Sequence, residues 1–144
     1  MTGGTGAAPI GEAELAPLRT TAFTAMERAY APYSGFRVGC ALRGADGSVH
    51  PGCNVENASY PAGICAERGA VLGAVARGTR AFDLLVLATE AEEPAPPCGQ
   101  CRQVLVEFAP SLRVISYTRG GRVGRWTIAE LMPHPFTPHS LSQK

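Results

Sequence analysis

The stretch Pro97-Cys98-Gly99-Gln100-Cys101-Arg102-Gln103 places two cysteines three positions apart, after a run of prolines and before an apolar segment with helical spacing. At the start of a helix, residues at this spacing lie about one turn apart on the same face, so both sulfurs can reach one metal ion. The helix N-terminus also favours the thiolate, which is the form that binds metal. A redox dithiol or two unrelated core cysteines would show the same spacing, and the pair alone does not decide between them.

A third cysteine begins the stretch Cys65-Ala66-Glu67-Arg68, which opens a second segment of helical composition. Catalytic zinc takes three protein ligands and keeps its fourth position for water. We therefore predict one zinc ion per subunit, held by Cys65, Cys98 and Cys101 between two helix N-termini. From Glu67 a carboxylate can reach a water on the metal without being a ligand, and this favours a catalytic role as the proton carrier.

Two other kinds of site stay open at this point. A structural zinc site needs a fourth protein ligand, for which Cys40 and Cys53 are available. A thioredoxin-type dithiol needs no metal at all. The odd number of cysteines, five, fits poorly with a closed disulfide framework. Residues 1–10 have neither the basic region nor the apolar core of a signal peptide, so we expect a cytoplasmic protein.

The composition is that of one globular domain. The chain has 144 residues, of which 45% are hydrophobic and 17% charged, and its net charge is +1. No block of Lys and Arg stands out, which argues against a nucleic-acid partner, because such a surface normally carries a basic stripe. No apolar run approaches the roughly 20 residues that span a bilayer, so we expect no membrane partner.

Hydrophobic periodicity predicts alternating helices and strands. The predicted helices are 12–30, 65–77, 98–108 and a helical turn at 128–132, and the predicted strands are 36–42, 48–54, 82–88, 112–117 and 122–127. Asp46-Gly47 predicts a hairpin between the first two strands, and the run 82–88 is apolar enough for a strand buried on both faces. Helices that alternate with apolar strands imply an α/β protein with a partly parallel sheet and helices on both faces.

We expect a single domain at 11–137, between a disordered tail at 1–10 and an irregular tail at 138–144. The helix at 65–77 is rich in small residues, which let another backbone approach closely. That backbone belongs either to the sheet of the same chain or to a helix of another subunit. The histidines match no role and are expected at the surface; they are His50, His134 and His139.

The cysteine stretches resemble the zinc deaminases, in which a first-ligand-x-Glu segment is followed by Pro-Cys-x-x-Cys. Here these segments read Cys65-Ala66-Glu67 and Pro97-Cys98-Gly99-Gln100-Cys101. The resemblance runs from about Tyr30 to Phe136 and is densest at 33–39, 53–60, 65–68 and 97–108. It is a resemblance to the cytidine deaminases of the small homotetrameric type. It implies their three-layer α/β/α fold with a mixed five-stranded sheet.

The same resemblance implies the contacts with substrate. It places Phe36 against the pyrimidine, and Asn54 and Glu56 on the ribose 3′-hydroxyl, a group that a polynucleotide would have esterified. The further substrate positions are Ala66, Tyr60 and Phe136, the last of which reaches into the site of a neighbouring subunit. From the residues alone, an ordinary core position is favoured for Phe36, and capping of the turn after the second strand is favoured for Asn54 and Glu56.

The implied activity is hydrolytic deamination of cytidine and 2′-deoxycytidine to uridine and 2′-deoxyuridine plus ammonia, within pyrimidine salvage. Glu67 would move protons from a zinc-activated water to the pyrimidine and then to the leaving amine, while Arg68 would withdraw charge from the sulfurs. The implied partners are a free nucleoside and further copies of the chain in a homotetramer. The alternatives are a zinc deaminase acting on blasticidin S or a nucleic-acid base, and a non-enzymatic structural zinc module. The sequence does not rank cytidine against deoxycytidine.

Overall fold

Five strands and five α-helices follow one another in the computed structural model, which describes residues 8–143. In chain order they are α1 (Glu12–Glu27), β1 (Val38–Gly44), β2 (Val49–Cys53), α2 (Ala66–Ala76), β3 (Phe82–Thr89), α3 (Gly99–Phe108), β4 (Arg113–Thr118), β5 (Val123–Thr127), α4 (Ile128–Leu131) and α5 (Pro138–Ser142). A 3₁₀ turn, Tyr60–Ala62, lies between β2 and α2. Each helix and strand predicted between residues 12 and 132 is confirmed, with ends that differ by a few residues.

The five strands form one mixed sheet in the order β2-β1-β3-β4-β5. The pairing of β3 with β4 is parallel, and the other pairings are antiparallel. The parallel pair is joined through α3, because parallel neighbours need a long crossover instead of a hairpin. The predicted sheet is confirmed, and the crossover brings the start of α3 close to the carboxyl end of β3.

Helices cover both faces of the sheet and so make three layers. On one face, α1 packs against Leu84, Val86 and Ala88 of β3. On the other face, α2 and α3 pack over Leu85 and Leu87. Successive side chains of a strand point to opposite faces. Because β3 has a core on each side, its sequence is an unbroken apolar run.

Two glycines allow helices to lie directly on the sheet. A Cβ on Gly39 of β1 would lie 2.0 Å from the carbonyl oxygen of Ala22 in α1. A Cβ on Gly52 of β2 would lie 2.2 Å from the carbonyl oxygen of Ala66 in α2. Any side chain here would overlap the helix backbone, so both positions need glycine for close approach.

The small residues of α2 serve the same packing. Ala66, Ala70 and Ala74 are buried in the core on the sheet, whereas Gly69 and Gly73 are half-buried. The small residues of α2 were predicted to contact either the sheet of the same chain or a helix of another subunit. The three alanines contact the sheet, so the first of these predictions is confirmed for them.

The segment after α1 explains why this helix stops before Tyr30, its predicted end. The N–H of Tyr30 donates to the carbonyl of Asn54 (3.0 Å), and the N–H of Glu56 donates to the carbonyl of Tyr30 (2.8 Å). Backbone groups that would extend the helix are used in this pairing. As a result α1 ends at Glu27, and the chain runs alongside the residues that follow β2.

The expected surface position of His50 is wrong. His50 is 4% exposed, and its ring packs edge-on against Phe82. Its Nε2 lies 2.9 Å from the hydroxyl oxygen of Ser48. In the β1–β2 register His50 lies opposite Leu42, which is a core residue. Directly opposite residues of paired strands place their side chains on the same face of the sheet, so the imidazole points into the core.

The two chain ends are described only in part. The C-terminal segment, expected to be irregular, contains α5, for which Thr137 is the N-cap and Pro138 the first residue, both favourable at a helix start. Near the other end, Ile10 packs against the α1-side core. Residues 1–7 and Lys144 lie outside the described residues, and the boundaries predicted at 11 and 137 stay a prediction. Among the helices of residues 8–143, none has the length and apolar character to cross a membrane.

Candidate active site

Three cysteine sulfurs meet where the N-termini of α2 and α3 converge. Cys65 is the N-cap of α2, Cys98 is the N-cap of α3, and Cys101 lies in the first turn of α3. The Sγ atoms of Cys65 and Cys98 are 3.7 Å apart, and all three sulfurs lie within 4.8 Å of one another. The predicted convergence of these cysteines is what the structure shows.

The thiol cluster has the size and chemistry of a zinc site. Zn–S bonds of about 2.3 Å at tetrahedral angles place two sulfurs roughly 3.8 Å apart, close to the separation of Cys65 and Cys98. Within residues 8–143, no other group of three potential ligand side chains converges in this way. Cys40 and Cys53 lie in β1 and β2 outside the cluster, so the fourth thiolate that a structural zinc site needs is not supplied by them.

The surroundings of Cys65 favour the thiolate that metal binding requires. Hydrogen bonding with the thiol of Cys101, together with the guanidinium of Arg68, lowers the pKa of Cys65 to about 5. Nη2 of Arg68 lies 3.6 Å from Sγ of Cys65 and 3.5 Å from the carbonyl oxygen of Gly63. The neighbouring Cys65 thiolate and burial raise the pKa of Cys101. Cys65 therefore loses its thiol proton more readily than Cys101 does. A divalent cation that binds the cluster would displace the thiol protons that remain.

Glu67 is the only acidic side chain in the first turn of α2, and it points into the same cluster. Its side chain is buried, with the residue only 5% exposed, and Oε2 lies 3.8 Å from Sγ of Cys101. Burial raises the pKa of Glu67 to about 7. A carboxyl group that titrates near neutrality can both take up and give back a proton, which is what a group that acts as base and then as acid must do.

A cavity of about 230 Å³ opens beside the sulfurs and Glu67. Its walls come from the segment before β1, the end of β2, the start of α2, the end of β3 and the proline-rich loop before α3. The predicted site residues that line it are Phe36, Asn54, Glu56, Cys65, Ala66, Glu67 and Cys98. Two of the three cysteines therefore share this cavity with Glu67, Asn54 and Glu56.

Asn54 is held by the backbone on both sides of Arg37. Its Oδ1 accepts from the N–H of Val38 at 2.8 Å, and its Nδ2 donates to the carbonyl of Phe36 at 2.7 Å. A side-chain amide has two N–H groups, so one donor of Asn54 is left for a ligand.

Glu56 is held by the turn that precedes Phe36. Its carboxylate accepts from the backbone N–H groups of Tyr33 (2.9 Å) and Ser34 (3.1 Å) and from the Ser34 hydroxyl (2.5 Å). These hydrogen bonds, the Ser34 hydroxyl first, hold the pKa of Glu56 below its ordinary value. Asn54 thus offers a hydrogen-bond donor and Glu56 a charged acceptor. One hydroxyl group of a ligand can accept from the first and donate to the second.

Two predicted substrate residues lie outside this cavity in the single chain. Tyr60 is 75% exposed and packs edge-on against Tyr33. Phe136 is 58% exposed, and its carbonyl accepts from the side chain of Gln103 at 2.8 Å. Neither lines the cavity walls that this chain provides, and their contact with substrate stays a prediction.

Sequence reasoning missed three residues that the structure places at the site. They are Ser34, Thr89 and Arg102. Arg102 donates to the carbonyls of Pro97 (2.7 Å) and Leu131 (2.9 Å), so it fixes the turn that carries Cys98. The signal for Arg102 was available, since an arginine directly follows the second cysteine of the motif. For Ser34 and Thr89 the pattern gave no signal, because one reads as a turn residue and the other as the end of a strand.

The comparison with protein families agrees with this geometry. Residues 14–117, from α1 to β4, match the model of the cytidine and deoxycytidylate deaminase zinc-binding region. The chain belongs to this family. Zinc is therefore the metal of this protein, as the sequence predicted, and Cys65, Cys98 and Cys101 form its candidate site.

Relatives and solved structures in this family cover most of the chain. A cytidine deaminase of Sporosarcina psychrophila is 44% identical over 82% of this chain and 88% of the relative. One from Halalkalibacterium halodurans is 42% identical over 84% of this chain and 92% of the relative. The crystal structure of cytidine deaminase from Burkholderia pseudomallei superposes with a TM-score of 0.81 at 44% identity, covering 84% of this chain and 98% of that one. The deaminase fold expected from the sequence is confirmed.

Proposed function

We propose that this chain catalyses the zinc-dependent hydrolytic deamination of cytidine and 2′-deoxycytidine to uridine and 2′-deoxyuridine, with release of ammonia. The observation that carries the proposal is the buried Glu67 carboxyl beside three convergent thiols, in the wall of a cavity that Asn54 and Glu56 also line. Relatives 44% and 42% identical to the chain are cytidine deaminases.

Hydrolysis replaces the amino group at C4 of the pyrimidine by oxygen, so it needs an acidified water and a proton carrier. Cys65, Cys98 and Cys101 would hold the zinc ion, which would supply a Lewis acid that lowers the pKa of water. The Glu67 carboxylate takes one proton from the attacking water and gives it to N3 of the ring. It then carries the second proton to the amino nitrogen, the C4–N bond breaks, and ammonia leaves.

Substrate selection is assigned to other groups that line the same cavity. Phe36 packs on the ring, and the N–H of Ala66, one of the first-turn groups of α2 without an intrahelical acceptor, donates to the pyrimidine carbonyl. Asn54 and Glu56 bind the ribose 3′-hydroxyl as donor and acceptor. A phosphodiester would remove this hydroxyl, which supports a free nucleoside over a nucleic-acid base.

The proposal also covers the oligomeric state of the enzyme, its compartment and its metabolic role. Exposed Tyr60 and Phe136, which lie outside the cavity of their own chain, support a homotetramer whose sites are shared between subunits. Thiol ligands that must stay reduced support work in the cytoplasm. Conversion of cytidine to uridine supports a role in pyrimidine salvage.

The direct test is to incubate the purified zinc protein with cytidine and follow the ultraviolet change that accompanies formation of uridine. Deoxycytidine, cytosine, blasticidin S and a single-stranded oligonucleotide form the substrate panel. We expect turnover of both nucleosides and loss of turnover after chelation. Turnover of only blasticidin S or the oligonucleotide would assign the chain to the competing substrate class.

The variant Glu67→Gln tests the proton carrier. It should lower kcat by at least about 10²–10⁴-fold, the range for a general acid–base group, while the protein still binds zinc. The matched control is Glu107→Gln, a change of an exposed glutamate on α3, which should leave kcat unchanged. Near-normal turnover by Glu67→Gln would refute the assigned mechanism.

A further inference from the structure

The hydroxyl of Ser34 connects two groups that are assigned to substrate. It donates to Oε2 of Glu56 at 2.5 Å, and it accepts from the backbone N–H of Phe36 at 3.0 Å. Ser34 also lines the cavity beside both residues. One side chain therefore spans the carboxylate and the backbone of the aromatic residue from within the wall of the site.

The two oxygens of Glu56 are used differently. Oε1 accepts from two backbone N–H groups, those of Tyr33 and Ser34. A carboxylate oxygen has two lone pairs, so Oε1 has no acceptor position left. Oε2 accepts only from the Ser34 hydroxyl among the described residues, and its second lone pair is the one that a ligand hydroxyl can use.

We propose that Ser34 is a positioning residue for nucleoside recognition: its hydroxyl fixes Oε2 of Glu56 so that the free lone pair meets the sugar hydroxyl. This inference rests on the proposed function, because Glu56 is assigned to the ribose there. The Ser34 hydrogen bond also favours the charged form of the carboxylate, which makes the stronger acceptor.

The loop that carries Ser34 is held by other hydrogen bonds as well. Asn54 bonds the backbone of Phe36 and Val38 through its side chain, and Tyr30 pairs with the backbone beside it. None of these contacts uses the Ser34 hydroxyl. Removal of the hydroxyl takes the acceptor from the N–H of Phe36, but the remaining hydrogen bonds should keep the loop in place. The main change should then be the orientation of one carboxylate oxygen.

The test compares the kinetics of the wild type and of one variant, first with cytidine and then with a substrate that lacks the 3′-hydroxyl. Ser34→Ala should raise KM for cytidine roughly tenfold, as expected for a hydrogen bond to a charged group, and change kcat less than about twofold. With 3′-deoxycytidine, which lacks the hydroxyl that Oε2 accepts from, the loss of kcat/KM should fall below about twofold. Ser34→Thr keeps the hydroxyl and should restore KM. Ser111→Ala, an exposed serine between α3 and β4, is the matched control and should have no effect.

The outcomes separate this inference from the proposed function. An equal loss of kcat/KM with both substrates would mean a general structural role and overturn the positioning role of Ser34. Unchanged KM in Ser34→Ala would also overturn it, although deamination by the wild type would stand. A wild-type protein that does not turn over cytidine would refute the proposed function and this inference with it. Thermal unfolding of each variant shows whether a loss comes from the fold, and Ser34→Thr keeps the comparison decisive if Ser34→Ala unfolds.

Discussion

We propose that a single side chain, Arg68, offsets the charge that three thiolates would bring to one divalent ion. Three negative charges against two positive ones oppose the acidification of water at the metal. Arg68 lies on α2, one residue after Glu67, and its guanidinium is 3.6 Å from the sulfur of Cys65. The same nitrogen, Nη2, lies 3.5 Å from the carbonyl oxygen of Gly63. The Nε of Arg68 is buried and has no hydrogen-bond partner within the described part of the chain.

Arg68→Gln should weaken zinc retention, kcat or both, by about 10- to 100-fold, the usual effect of losing a group that supports a metal ligand. The reason is that Cys65 loses the cation that favours its thiolate form. The measurement is the rate at which a chelating dye removes zinc, followed by kcat on the zinc-loaded protein. Arg77→Gln, at the C-terminal end of the same helix, is the control. Zinc release and kcat equal to those of the wild type would remove this role from Arg68.

The roles of residues that form a local sequence motif could be predicted. The roles of residues that depend on a contact with a distant part of the chain could not. Cys65, Cys98 and Cys101 form a pattern of ligand types that the sequence displays directly. Ser34 gains its role from Glu56, which is 22 residues away, and no local pattern encodes that contact. His50 was placed wrongly for the same reason, because its burial follows from the cores around β2 and not from its own chemistry.

Two glycines at helix–sheet crossings give matched tests at the scale of elements. In Gly52→Ala the new Cβ would overlap the carbonyl of Ala66, at the start of the helix that carries Cys65 and Glu67. In Gly39→Ala it would overlap the carbonyl of Ala22 on α1, which carries no site residue. Both changes should lower the free energy of unfolding of the metal-free protein by about 1–3 kcal/mol, as overpacking does.

The two variants should differ in zinc affinity. Gly52→Ala displaces the N-terminus of α2 and should weaken zinc binding, whereas Gly39→Ala should bind zinc like the wild type. Denaturant unfolding of the metal-free proteins and zinc titration of the folded ones provide the measurements. If Gly39→Ala lost as much zinc affinity as Gly52→Ala, the link between the α2 crossing and the metal site would be wrong.

Helices and strands could be predicted from local sequence signals such as hydrophobic periodicity, but the residues at which they end could not. The run 82–88 and the hairpin at Asp46-Gly47 are local signals, and both appear as expected. The end of α1 is decided by backbone pairing with Asn54 and Glu56, which lie far along the chain. The short α5 was missed because three prolines between residues 133 and 138 read as irregular, although Pro138 favours the first turn of a helix.

At the scale of the whole molecule, α3 connects the metal to the C-terminal segment. Cys101 belongs to the zinc cluster, Arg102 donates to the carbonyl of Leu131, and Gln103 donates to the carbonyl of Phe136. Three consecutive residues thus hold the metal site and the segment after α4 in one arrangement. Phe136 does not line the cavity of its own chain and is exposed, as a side chain that completes the site of a neighbouring subunit would be.

Mixed oligomers test this sharing of sites. Phe136→Ala alone should raise KM, and Glu67→Gln alone should lower kcat by at least about 10²–10⁴-fold. When the two variants are co-assembled, some sites combine an intact Glu67 from one chain with an intact Phe136 from its neighbour, and activity should exceed the sum of the separate variants. Leu141→Ala, which removes another exposed apolar side chain of the C-terminal segment, should leave KM unchanged. A monomer in solution, or mixtures no more active than their components, would contradict shared sites, because recovery requires that each site draw residues from two chains.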